Sequence, residues 1–220
     1  MKMKKTLTIV VTLLCLSFSM LEAYAQSDEV PKFELGAQFT SITKPDNNNG
    51  ATEPGFGGRF TFNLNRSVAF EAEVNFFPHQ CDFCGSGPVG DNSGNITQGL
   101  FGVKAGKRFQ KWGVFGKARP GFVSFSRGDS KYEVVGPSVL IEPNRLTNFA
   151  LDLGGVLEFY PSKRIVTRFD AGDTLIHYGA RQINFLSFDP TTFLPVVVPF
   201  TTRSETRHNF QFSAGVGWRF

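Results

Sequence analysis

The feature that most constrains this chain is alternation. Eight separate segments place apolar and polar residues at strict two-residue spacing. That period belongs to a β-strand with one face in an apolar environment. In residues 208–220, Phe210, Phe212, Ala214, Val216, Trp218 and Phe220 share one face. Asn209, Gln211, Ser213, Gly215, Gly217 and Arg219 share the other. The first segment sets Phe33, Leu35, Ala37 and Phe39 against Glu34, Gly36, Gln38 and Thr40. The second sets Phe56, Phe60 and Phe62 against Arg59; the third sets Phe70, Val74 and Phe76 against Glu71 and Glu73. The fourth sets Phe101 and Val103 against Lys104 and Arg108. The fifth sets Val114 and Phe122 against Lys117 and Arg119. The sixth opposes Leu151, Leu157 and Phe159 to Asp152 and Glu158, and the seventh opposes Ile165 and Phe169 to Arg168 and Asp170.

The connections alternate too. Asn65-Arg66, Gln110-Lys111 and residues 161–164 are short turns, whereas about 41–54, 78–96, 126–147 and 179–207 are long. An even strand count, with short turns on one rim and long loops on the other, predicts an all-β, eight-stranded, antiparallel, up-and-down transmembrane barrel. A bilayer forces closure, because an open edge would leave backbone groups unpaired in hydrocarbon. A soluble barrel of the lipocalin type is the competing fold, with the apolar face turned inward. Two features favour the membrane form. Phe62, Phe109, Trp112, Phe159, Trp218 and Phe220 gather near the short turns as an interfacial girdle. The chain also reads to a lipid-facing aromatic, Phe220.

Composition and charge point the same way. Phe occurs 25 times and Gly 23 times in 220 residues, an unusual mixture for a helical domain. Lys2, Lys4 and Lys5, an apolar run and Ala23-Tyr24-Ala25 read as a cleaved bacterial signal peptide over 1–25. Residues 26–220 are then the barrel domain. Removing three Lys and Glu22 from 23 bases and 19 acids leaves 20 against 18, so nothing suggests nucleic acid as a partner. No stretch is long and apolar enough for a transmembrane helix.

The eight segments, the signal sequence, the aromatic at 220 and the long loops resemble the OmpA/OmpX-type small outer-membrane β-barrel family. The phrases Gly55-Phe56-Gly57-Gly58-Arg59-Phe60, Arg168-Phe169-Asp170-Ala171-Gly172-Asp173 and the strand from Phe212 to Phe220 carry it. The resemblance covers nearly all of residues 31–220 and implies residence in the bacterial outer membrane. It implies outer-membrane lipid as one partner and the barrel assembly machinery, through Phe220, as another. A peptidoglycan-binding domain is not expected, and no cofactor or metal is implied.

The residues then give a functional expectation. Glu34, Glu71, Glu73, Asp152, Glu158 and Asp170 should meet Arg59, Lys104, Arg108, Lys117, Arg119, Arg168 and Arg219 inside the barrel. Eight strands leave an interior just wide enough for side chains to fill, so the lumen should be a plug of paired charges. The chain is expected to be non-enzymatic: His79, His177 and His208 form no triad-like grouping, and a lipid A-modifying barrel enzyme is the least favoured reading. A structural scaffold whose extracellular loops are available for binding or adhesion is expected, with a narrow porin-like channel as the alternative.

Three local expectations remain. Cys81 and Cys84 form C-x-x-C. The readings are a disulfide, half a zinc site or a redox pair, and an oxidising exterior makes the disulfide the default. Strand seven should slip by one residue near Gly172-Asp173, turning Asp173 inward, and Pro120 should lie near the outer rim. In the last long connection, Phe193, Leu194, Val196, Val197, Val198 and Phe200 are too apolar for an ordinary outer loop. They either extend the barrel strands or form a surface that captures an extracellular ligand.

Overall fold

The computed structural model describes residues 30–44, 51–80, 94–135, 138–191 and 195–220. The signal-peptide segment, Cys81, Cys84, Phe193 and Leu194 lie outside the described residues. Among the described residues ten strands follow in order: β1 (Phe33–Lys44), β2 (Ala51–Asn63), β3 (Val68–Gln80), β4 (Gly94–Arg108) and β5 (Trp112–Val135). After them come β6 (Ser138–Phe159), β7 (Ile165–Tyr178), β8 (Arg181–Phe188), β9 (Pro195–Thr202) and β10 (Glu205–Arg219). Eight close into an antiparallel barrel in the order β1-β10-β7-β6-β5-β4-β3-β2. The closing seam joins β1 to β10 in unbroken register from Glu34–Arg219 to Thr43–Phe210. Reciprocal backbone bonds between Phe33 and Phe220 seal its end at 3.0 and 2.9 Å.

The two faces of the wall are sorted as the alternation requires, and their sense decides between the two barrel types. Leu35, Phe39, Phe56, Val74, Phe101, Phe149, Phe210 and Val216 are exposed on the outside. Glu34, Arg59, Glu71, Lys104, Arg119, Asp152 and Arg168 are buried inside. An apolar belt this continuous demands hydrocarbon around it. The lipocalin-type arrangement is the inverse and is overturned.

The strands must coil sharply to close so small a ring. Gly154 and Gly172 face each other across β6 and β7. A Cβ on either would sit 2.3 or 2.5 Å from a backbone oxygen of the opposite strand. Pro120 interrupts one ladder only. Its pairing with Leu151 on β6 persists, while the β4–β5 ladder passes from Leu100–Gly121 to Val103–Ala118. β5 runs on to Val135, so Pro120 lies within the strand rather than near its outer end.

Strand seven contains no slip. Its register against β10 is continuous from Ile165–Trp218 to Tyr178–Glu205, and that against β6 is equally regular. Asp173 therefore keeps the outward orientation. Its carboxylate needs no bulge because β10 brings partners to it. His208 Nδ1 lies 2.5 Å from Oδ2, and the Asn209 amide donates to Oδ1 at 3.0 Å.

The long connections are shorter than the alternation suggested, because pairing continues past the barrel wall. β5 and β6 stay paired as far as Val135–Ser138, with one register shift between Phe125 and Asp129. The last connection contains its own two-stranded sheet, β8 against β9, paired from Arg181–Thr202 to Phe188–Pro195. That hairpin lies against β5 and does not extend β7 or β10.

Candidate functional site: the filled lumen and the outer hairpin

Inward positions of all eight strands converge on one interior, which is stratified along the barrel axis. At the short-turn end, the Arg108 guanidinium donates to Tyr160 Oη at 2.9 Å and to Asn63 Oδ1 at 3.1 Å. Tyr160 in turn donates to Glu158 Oε2 at 2.7 Å. Arg219 lies over the Tyr160 ring, 4.5 Å from its centre, and 3.3 Å from Glu34. The Asn63 amide nitrogen donates to the same Glu34 carboxylate at 2.9 Å.

The next stratum is ionic. Arg168 holds Glu71 with both terminal nitrogens and donates to Asp170 at 2.7 Å. Lys104 pairs with Glu158 and lies 3.3 Å from Glu71. Arg119 donates to Asp152 at 2.8 and 2.6 Å and to Glu73 at 2.6 Å. Lys117 spans Asp152 at 3.0 Å and Asp170 at 3.5 Å, and Arg59 reaches Asp170 at 3.7 Å. Arg108 links this group to the lower stratum through Glu34 and Glu158, both at 3.5 Å. The structure thus brings every charged lumen residue named from the sequence into one connected set of ion pairs. Isolated, any of these charges would be too costly to bury; each faces at least one opposite charge, and Glu71, Asp170, Arg119 and Arg168 face two or more.

Above the ions lies an amide stratum. Gln38 donates to Asn75 at 2.9 Å, and Asn75 donates to Glu73 at 2.7 Å and Gln98 at 2.8 Å. Gln98 and Gln211 exchange bonds at 2.9 and 3.1 Å, and Thr174 donates to Gln211 at 2.8 Å. Towards the outer hairpins the interior turns apolar. Ile42, Phe77, Ile96, Leu100, Val123, Phe125, Ala150 and Ile176 form one buried cluster. Tyr178 stacks on Phe125 at 6.2 Å.

Several of these residues escaped sequence reasoning. Glu53 and Gln98 are buried inward residues of β2 and β4, yet both fall near or within stretches that read as loops. Tyr160 follows the last residue of β6 but keeps the inward parity of Glu158, which is the signal that could have found it. The apolar cluster was legible only once the strands were known to extend through Ile42, Phe77 and Ile96.

His177 and His208 lie elsewhere. His177 is exposed, with Nδ1 3.0 Å from Thr206 Oγ1. His208 is exposed beside Asp173. Of the expected binding residues, Val196, Val197, Val198 and Phe200 lie on β9, where Val198 is 46% and Phe200 55% exposed. Phe188 of β8 is 62% exposed.

The sequence matches the family model described as "Outer membrane protein beta-barrel domain" over residues 11–220. The chain belongs to this family. Among solved structures, Neisserial surface protein A superposes with a TM-score of 0.51 at 11% identity, covering 86% of this chain and 97% of that one. Ail, the attachment invasion locus protein of Yersinia pestis, gives 0.46 at 13% identity, with 87% and 100% covered. OprG of Pseudomonas aeruginosa gives 0.44 at 10%, with 90% and 99% covered. No curated protein matches. The barrel resides in the bacterial outer membrane, with its apolar belt in lipid.

Proposed function

We propose that this chain is a non-enzymatic, non-conducting outer-membrane barrel whose outer hairpins bind a ligand at the cell exterior. The observation that carries the reading is the filled interior. Lys104, Arg119, Asp152 and Glu158 are wholly buried side by side, and an apolar cluster caps them. A wall filled in this way is a mount for what it holds above the membrane. The β8–β9 hairpin, with Val198, Phe200 and Phe188 open to solvent, is the surface held there. Phe220, facing lipid at the seam, is the residue we assign to recognition by the assembly machinery.

Purified protein in planar bilayers should show no stable single-channel conductance; a large, steady conductance would replace this reading with the porin-like one. Deleting residues 193–200 should leave heat-modifiable gel migration intact and abolish attachment of cells to a surface, matrix protein or lipid ligand. Unchanged attachment across such a panel, with the barrel folded, would remove the hairpin from the function.

A further inference from the structure

Among the described residues, the exposed charged side chains of the short-turn rim are of one sign. Lys32, Arg66, Lys107, Lys111, Lys163 and Arg164 are all exposed there. The nearest described carboxylates, Glu34 and Glu158, are buried in the lumen, and no described Asp or Glu side chain is exposed on this rim. The opposite end mixes signs: Glu142, Asp173 and Glu205 accompany Arg145, Arg203 and Arg207. The rim excess is therefore local and is not the overall net charge of +4 seen at one place.

Its depth is set by the aromatic girdle. Lys107 occupies a lipid-facing position of β4, opposite Val114, and its ammonium lies 5.5 Å from the centre of the Phe109 ring. Phe109 itself stacks on Trp112 at 4.3 Å. Arg164 immediately precedes β7, and its guanidinium lies 5.9 Å from the centre of Trp218. Ser162, Lys163, Arg164, Ile165 and Trp218 line a shallow depression at that point. Tryptophan and its neighbours sit at headgroup level in a membrane. A long basic side chain rooted among lipid-facing residues extends its charge to the same level.

We infer that this rim is a binding collar for acidic phospholipids of the periplasmic leaflet, with the phosphate-bearing headgroups seated on Lys107, Lys111, Lys163 and Arg164 beside Trp112 and Trp218. Cell-wall glycan with its carboxylates is the other anionic polymer within reach. The lipid is favoured because two of these cations, Lys107 and Arg164, lie against interfacial rings instead of projecting past them. The collar is independent of the role proposed for the outer hairpins. Each cation held at an anionic surface contributes about fivefold to partitioning, and the effect decays within a Debye length.

The molecule carries its own probe, since its two tryptophans are Trp112 and Trp218, both on this rim. The full barrel is reconstituted in mixed vesicles in which either phosphatidylglycerol or phosphatidylcholine is brominated, and tryptophan quenching is compared at equal mole fraction. The collar requires at least about threefold preference for brominated phosphatidylglycerol at low salt, falling towards unity at 0.5 M salt. Lys111→Gln with Lys163→Gln should weaken the preference, and adding Lys107→Gln and Arg164→Gln should abolish it, with heat-modifiable migration retained. The salt titration needs no variant, so a misfolded mutant does not blunt the test. Equal quenching by both lipids would overturn the proposal. So would salt-sensitive co-sedimentation of the detergent-solubilised protein with purified sacculi alongside a flat lipid ratio, which would assign the rim to the cell wall.

Discussion

The two halves of the lumen are closed by opposite chemistry within one wall. Towards the short turns, Arg168, Lys104, Arg119 and Lys117 fill the bore, each shared between at least two carboxylates. Towards the outer hairpins, Ile42, Phe77, Ile96 and Val123 fill it with nothing directional at all. The strands, parity and pairing are the same in both. The comparison teaches that a membrane barrel's exterior is constrained by lipid, while its interior is constrained only to be filled. Ion pairs fill it with a geometry that few substitutions can reproduce. Apolar side chains fill it in a way that neighbours can partly repair.

Four measurements sharpen or break that contrast. The largest effect should come from Arg168→Met, which leaves Glu71 and Asp170 short of their main cation. Breaking a buried pair in this way costs about 4 kcal/mol, read as a lowered urea midpoint in micelles. A loss under about 1 kcal/mol would show that the remaining cations simply regroup. Phe77→Ala, at a wholly buried ring, should cost about 3 kcal/mol. It should leave planar bilayers silent, because the ionic half stays intact; conductance in this variant would make the apolar half the seal. Third, Arg119→Met and Asp152→Leu together should cost about 1–2 kcal/mol less than the sum of the single changes, since the double variant strands fewer charges. The smallest effect belongs to Asp173→Asn. Its pair with His208 is on the exposed outer face, so stability should move by less than about 1 kcal/mol. A larger loss would mean that this rim pair supports the wall as the lumen pairs do.

Much of this was legible because a strand's two-residue period leaves little choice. Once Phe169 faces lipid, Arg168 and Asp170 must face the bore, and the same holds for Glu71, Glu73 and Lys104. What single-chain alternation could not show is where a strand stops. β5 and β6 run on through residues that read as loop, and β2 begins before Glu53. Nor does parity reveal a partner on the next strand. Asp173 invites a bulge if only its own strand is considered, and His208 across the ladder removes the need. β8 and β9 were readable as β-prone, but their pairing with each other depends on the shape of the barrel mouth.

The β1–β10 seam has a consequence in time. Every other pair in the wall joins strands that neighbour each other in the sequence or, for β7 and β10, flank a single hairpin. Those can zip locally as the chain emerges, whereas the seam unites the first and last strands across nearly the whole described length. Loop closure of that span has to be met before any of its bonds form. The cylinder is therefore a shape the growing chain cannot attain. Until β10 reaches β1, each keeps an unpaired edge, and such edges are where strands of other chains add. Those two edges are therefore where a second copy can add before closure, and forming the seam removes both at once.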